Sequence, residues 1–130
     1  MTVARGLADT SIFIASESGR ALDPDALPEE IAVSIVTIGE LRVGVLVAAD
    51  VDTRDRRLGT LLRALELQPF PIDEAVAEAW ARLRVSLRDS GQRMPVNDSW
   101  IAATAIALGV PVVTQDSDYA ELPGLDVVRV

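Results

Sequence analysis

Short apolar runs rich in β-branched residues alternate with segments whose apolar residues recur at helical spacing. This alternation constrains the fold more than any single residue does. Residues 6–9 read as the end of a first strand, and 11–17 as a short helix closed by Gly19. Residues 21–30, rich in proline and acid, read as a loop, and 32–35 as a second strand. The stretch 37–49 carries Ile38, Leu41, Val45 and Leu46 at helical spacing; Thr37 is its expected N-cap, with Glu40 placed to complete a capping box. A further helix is predicted over 53–65, arginine-rich on its polar face. Residues 67–72 are a third strand candidate, confined to an edge or strand end because Pro69 and Pro71 lack donors. Long helices follow over 73–90, closed by Gly91, and over 97–108, almost wholly apolar after its first turn and ended by Gly109. Residues 112–114 and 126–130 complete a set of five strands. The βαβα order predicts an α/β sandwich around a mainly parallel five-stranded sheet, and 130 residues suit a single domain spanning 1–130.

Absences narrow the chemistry. The chain has no cysteine and no histidine, and all 12 of its basic residues are arginine. Disulfides, thiolates, imidazole bases, P-loop lysines and Schiff bases are therefore excluded. Carboxylates, hydroxyls, arginines and a bound metal remain. No G-x-G-x-x-G phosphate loop and no internal repeat is present. The start, MTVARGLADTSIFIAS, has neither a long apolar run nor a cleavage site. No stretch reaches the ~20 apolar residues of a membrane span, so a cytoplasmic protein is expected. The net charge of −8 argues against nucleic acid as a partner unless a metal cluster and local arginines overcome it.

Most of the 20 acidic residues sit in loops or on polar faces, but four stand among apolar neighbours. Asp9 and Asp116 each follow an apolar strand, Asp98 opens the apolar helix, and Glu40 lies within SIVTIGELRVGV. In a parallel sheet the carboxyl ends of the strands share one edge, where ligands bind. Four carboxylates converging there would repel by about 3 kcal/mol per pair at ~5 Å and an effective dielectric of ~20. A cation would relieve that repulsion, and an all-oxygen set suits Mg²⁺ or Mn²⁺. Each residue also has a plainer reading: Asp9 as an N-cap, Asp98 as a cap with Asn97 as competitor, Glu40 in its capping box, Asp116 and Asp118 as turn residues.

The segments LADTSIFI, SIVTIGEL, VNDSWIAATA and VVTQDSDY, in this order, resemble the four acidic motifs of PIN domains, above all those of VapC-type toxins from VapBC toxin–antitoxin systems. The resemblance runs from Leu7 to Val130. It implies a three-layer α/β/α fold and a Mg²⁺- or Mn²⁺-dependent endoribonuclease acting on RNA of the tRNA or rRNA class. It makes Asp9, Glu40, Asp98 and Asp116 the catalytic metal ligands, with Asp118 a further acidic position. Thr10, Ser11 and Thr114 would steady the site through their hydroxyls. A homodimer and a VapB-type antitoxin partner are also implied. Tyr119 departs slightly, since phenylalanine is commoner there. Arginines offer RNA contacts: Arg54, Arg56, Arg57 and Arg63 on one predicted helix; Arg82, Arg84, Arg88 and Arg93 on or beyond another. Arg54, Arg57, Arg82 and Arg88 are the expected RNA contacts, although arginines opposite Asp and Glu at helical spacing are commonly solvated. Trp80 and Trp100 read as core or dimer-interface residues. The competing functions are a non-catalytic PIN-like binding module and a DNA or flap nuclease of the same superfamily; a phosphoryl-transfer domain would need the missing lysine.

Overall fold

A computed structural model describes residues 4–117 and 119–130. Along the chain run β1 (Arg5–Ala8), α1 (Thr10–Ser18), β2 (Glu30–Val33), α2 (Ile35–Leu46), α3 (Val51–Glu66), α4 (Glu74–Asp89), α5 (Val96–Leu108), β3 (Val112–Thr114) and β4 (Val127–Arg129). The strands lie in the order β2-β1-β3-β4, and every pair is parallel.

Alternation along the central strands builds three layers. Leu7 of β1 and Val112 of β3 pack with Leu83, Leu87, Ile101, Ala102 and Ala105 of α4 and α5. Their neighbours Ala8 and Val113 point the other way, onto Ile12 and Phe13 of α1. Helices therefore cover both faces of the sheet. Burying each of the larger of these side chains contributes about 1.5–3 kcal/mol. Gly6 sits where a Cβ would come within 2.5 Å of Val113 Cγ2 and 2.8 Å of Pro28 Cγ, so only glycine lets the 20s loop close over β1. On the outer side, α2 and α3 share a cluster of Ile38, Leu41, Val45, Leu61 and Ala64. Among the described residues no helix is long and apolar enough to cross a membrane.

Two expectations need correction. The sheet has four strands among the described residues, not five. The stretch 67–72 contributes only an isolated parallel bridge, Phe70 to Ser34, beside β2. Phe70 donates to Val33 O (2.9 Å) and accepts from Ile35 N (2.9 Å). Pro69 and Pro71 on either side have no N–H to extend the ladder. The second correction concerns α2, which begins three residues before the expected start. Its cap is Ser34, whose hydroxyl accepts from Val36 N, so Thr37 lies buried within the helix and the capping box of Thr37 and Glu40 does not form.

Candidate active site

Because all strands are parallel, their carboxyl ends share one edge, and the chain order reverses between β1 and β3. A crevice at such a reversal is where open α/β sheets place ligands. Asp9 follows β1 directly, and Asp116 lies two residues beyond β3. Asp98 is in the first turn of α5, where the positive end of the helix dipole favours a carboxylate. Glu40 lies in mid-α2. These four carboxylates line one cleft of about 240 Å³ together with Thr10, Ser11, Ile14 and Arg20.

Asp9 is 1% exposed and is held on both oxygens. Its Oδ1 accepts from Ser11 N (3.0 Å) and Ser11 Oγ (2.5 Å), and its Oδ2 from Thr114 Oγ1 (2.6 Å). The residue thus also caps α1, so its plainer reading as an N-cap and its place in the cleft are both realised. Each hydroxyl that donates to Asp9 accepts in turn from the following loop. Gln115 N donates to Ser11 Oγ (3.0 Å) and Asp116 N to Thr114 Oγ1 (2.9 Å). Ser11 and Thr114 therefore tie Asp9 to the backbone that carries Asp116. On the opposite wall Thr10 Oγ1 donates to Glu40 Oε1 (2.6 Å) and lies 3.1 Å from the buried Thr37 Oγ1. Neither Asp98 nor Asn97 caps α5, contrary to the plainer expectation: the helix begins at Val96, its N-cap position is Pro95, and no side-chain hydrogen bond caps it.

Tyr119 reports the electrostatics. Its ring is in the main core, 3% exposed, and its buried hydroxyl makes no hydrogen bond of ordinary geometry. Burial first, then the negative charge of Asp9 and Asp98 and the proximity of the Asp9 carboxyl, and last Asp116, hold its proton well above the usual phenol range. The charges of Asp9, Asp98 and Asp116 thus all disfavour a tyrosinate at this position. The donor set, all hard oxygen, fits Mg²⁺ or Mn²⁺ in chemistry. Among the described residues, however, no three acidic groups are close enough to form a ready-made cage. Asp9 is fixed by its hydroxyls, so any closing-in onto a cation falls to the side chains of Glu40, Asp98 and Asp116. Asp118 lies outside the described residues.

The sequence did not point to Arg20. It stands just past Gly19, whose left-handed φ of 73° closes α1 and turns the chain back, with Arg20 N donating to Ala15 O. No periodic pattern flags a side chain placed by such a turn. Thr37 was read as a cap rather than as a buried hydroxyl beneath Glu40. The four arginines singled out for RNA are not brought together. Arg57 donates to Gly44 O (2.7 Å) and joins α3 to α2, Arg82 is paired with Glu78 (3.1 Å), and Arg54 is exposed on α3. Trp80 and Trp100 stack at 4.3 Å between α4 and α5, half-buried, with Trp80 Nε1 donating to Ser99 Oγ.

A parallel α/β sandwich with a carboxylate cleft at its strand reversal, held by serine and threonine, has counterparts among known proteins. The PIN domain family matches residues 7–125. Over 131 residues the chain is 51% identical to Ribonuclease VapC4 of Mycobacterium tuberculosis, covering 100% of both. It is 48% identical over 132 residues to Ribonuclease VapC5 of the same organism, covering 99% of this chain and 98% of that one. The crystal structure of VapBC-5 from M. tuberculosis, a member of the VapBC family of toxin–antitoxin systems, contains a chain that superposes with a TM-score of 0.89 at 45% identity, covering 98% of this chain and 99% of that one. The chain belongs to the PIN-domain family, within its VapC ribonuclease branch.

Proposed function

We propose that this chain is a Mg²⁺- or Mn²⁺-dependent endoribonuclease and the toxin of a VapBC-type pair. The observation that carries the reading is the single cleft lined by Asp9, Glu40, Asp98 and Asp116, with Asp9 locked by Ser11 and Thr114. Those four carboxylates are the residues that would hold the cation, which when bound supplies positive charge against the phosphate oxygens and makes water easier to deprotonate. The chain's own part is positioning and proton handling. Three hydrogen bonds leave Asp9 about one free lone-pair site, so its orientation is fixed before substrate arrives. Glu40 is held by Thr10 through Oε1, which leaves Oε2 to take the proton of the attacking water. Arg20 on the rim offers a planar donor pair to a phosphate. In-line attack by water on phosphorus then breaks the bond to the 3′ oxygen, giving a 5′ phosphate and a 3′ hydroxyl.

The proposed substrate class is tRNA or rRNA, and the proposed protein partner is a VapB-type antitoxin; a homodimer belongs to the same reading. A groove of about 350 Å³ next to the cleft supports the partner. It is lined by Ile14, Leu41, Val43 and Val47 with Glu17, Glu40 and Arg57. Ile14 and Glu40 line both groove and cleft, so an occupant of one borders the other. An amphipathic segment with an arginine or lysine at its end matches that lining.

The test is incubation of a structured RNA with Mn²⁺, Mg²⁺ or EDTA, followed by end-group analysis. Metal-dependent cleavage leaving 5′ phosphates is expected. Cleavage that survives EDTA and leaves 2′,3′-cyclic ends overturns the mechanism, and metal-dependent cleavage of DNA alone overturns the substrate class.

A further inference from the structure

At the C-terminal end of α4 lies a second cleft, of about 310 Å³, lined by Arg84, Leu87, Arg88, Gln92, Arg93 and Met94. Leu87 and Met94 are buried and form its floor. Three of the chain's 12 basic residues thus meet around one hollow in a protein of net charge −8. Of these three, only Arg88 has a carboxylate partner among the described residues, the adjacent Asp89 at 3.1 Å, and both side chains are largely exposed. Exposed pairs of this kind hold their partners weakly. Arg84 lies over the Trp80 ring at 5.6 Å, which fixes its stem without neutralising it. The negative end of the α4 dipole accounts for Arg88 in the last turn, but not for Arg84 a turn earlier or for Arg93 beyond the helix.

The hollow flanks the catalytic edge. Arg93 leads through Met94 and Pro95 into α5, whose first turn carries Asp98. Five residues separate Arg93 from Asp98, which limits their Cα atoms to about 18 Å apart. Gln92 Nε2 reaches Glu121 O (3.4 Å), in the segment that follows the Asp116 loop. The apolar groove lies on α1–α3, a different part of the surface from this hollow.

We propose that Arg84, Arg88 and Arg93 form a phosphate-binding subsite that grips the RNA backbone a few nucleotides from the scissile bond. The inference rests on the nuclease reading of the carboxylate cleft. The acidic cleft repels a polyanion, and a basic hollow on its flank offsets that repulsion where the strand passes. Guanidinium forks bind phosphate oxygens in pairs and read no base, so the subsite supplies affinity without sequence preference.

The experiment compares the parent with Arg88→Gln, Arg93→Gln and the double variant in two assays. Binding of a labelled 12-nucleotide single-stranded RNA is measured against salt concentration in an Asp116→Asn background. Cleavage is measured on that RNA and on bis(p-nitrophenyl) phosphate, which fills only the catalytic cleft. Each arginine removed is expected to weaken RNA binding about fivefold at low salt and to reduce the log–log salt slope by about 0.7. KM for RNA rises, while hydrolysis of the small diester stays within twofold. Arg88→Lys, which keeps the charge, retains the slope. Unchanged RNA affinity and slope in the double variant overturns the subsite. Equal losses on RNA and on the small diester also overturn it, because they mark a structural role. A parent that cleaves neither of these substrates nor a tRNA or rRNA refutes the nuclease reading instead, and the binding arm still decides the subsite.

Discussion

The carboxylate cleft and the apolar groove beside it share Ile14 and Glu40, yet they are built on opposite terms. The cleft is fixed by hydrogen bonds: Ser11 and Thr114 each join a strand-end carboxylate to the next loop. The groove is shaped by packing and leaves large side chains in water, with Val43 58% and Val47 68% exposed. Apolar side chains left in water along a groove are the kind of surface that a partner covers. A rigid polar site and an adaptable apolar one can therefore be altered separately, except at the residues they share.

The largest effect is expected from Asp116→Asn. RNA cleavage should fall at least a hundredfold, while affinity for the proposed antitoxin stays within twofold. Asp116 is half-exposed, so this variant should keep its stability in EDTA. Asp9→Asn, by contrast, should lose both activity and about 1–3 kcal/mol of stability, since an amide cannot accept all three bonds that the buried carboxylate accepts. Urea unfolding beside a cleavage assay separates the two. If Asp9→Asn proves as stable as the parent, the hydroxyl anchoring described above does not hold the cleft.

The mirror experiment is Val47→Asp. It places a charge in the groove near Glu17 and Glu40 and removes apolar area that a partner would bury. Affinity for the antitoxin, measured by titration calorimetry, should fall at least tenfold with RNA cleavage unchanged. Unchanged affinity would show that the partner sits elsewhere.

Thr114→Val tests the cleft's construction with nearly the same shape. Thr114 is fully buried, donates to Asp9 Oδ2 and accepts from Asp116 N. Valine removes both of these bonds in a buried setting, at a cost of about 1–3 kcal/mol, and lowers cleavage as well. Equal stability of parent and variant in urea would mean that water replaces the hydroxyl at no loss.

The contrast between the two regions also explains what the sequence disclosed. Strand ends followed by Asp9 and Asp116, and a buried helix opened by Asp98, are local patterns, and the topology places those local patterns on one edge. The hydroxyls of Thr10, Ser11 and Thr114 stand beside them in the chain and fall into place with them. The groove was not legible, because α2 carries apolar residues on most sides, with Glu40 and Arg42 its two charges, and periodicity does not say which face is left uncovered. Nor was the fate of residues 67–72, where a single N–H between two prolines permits a bridge and no strand. The arginine-rich predicted helices looked alike in sequence. Only packing distinguishes Arg57, bonded to the Gly44 carbonyl, from Arg88 and Arg93, which border a hollow. Thr37 was the expected cap of α2, yet Ser34 takes that place, at the point where the Phe70 bridge closes β2.

The smallest effect at neutral pH is expected from Tyr119→Phe, and it sharpens the boundary of the cleft. The hydroxyl is buried beside Asp9 without a well-formed hydrogen bond. Removing it should leave stability equal or up to about 1 kcal/mol higher, because an unsatisfied buried donor disappears, and cleavage should stay within twofold. At alkaline pH the two proteins should part. Burial, followed by the charges of Asp9, Asp98 and Asp116, keeps the folded phenol protonated, whereas the unfolded chain ionises near pH ~10. Above that pH the unfolded state binds fewer protons than the folded one, so stability falls as pH rises, by about 1.4 kcal/mol per pH unit. The chain has one tyrosine, no lysine and no cysteine, so between pH ~10 and ~12 no other side chain competes for this titration. Urea unfolding at stepped pH should show that slope in the parent and a flat line in Tyr119→Phe. Parallel curves would mean that the phenol ionises in the folded protein and that the carboxylates do not converge on it. A tenfold loss of cleavage in Tyr119→Phe, with stability kept, would instead make the hydroxyl part of the support of Asp9 and extend the cleft's polar network into the core.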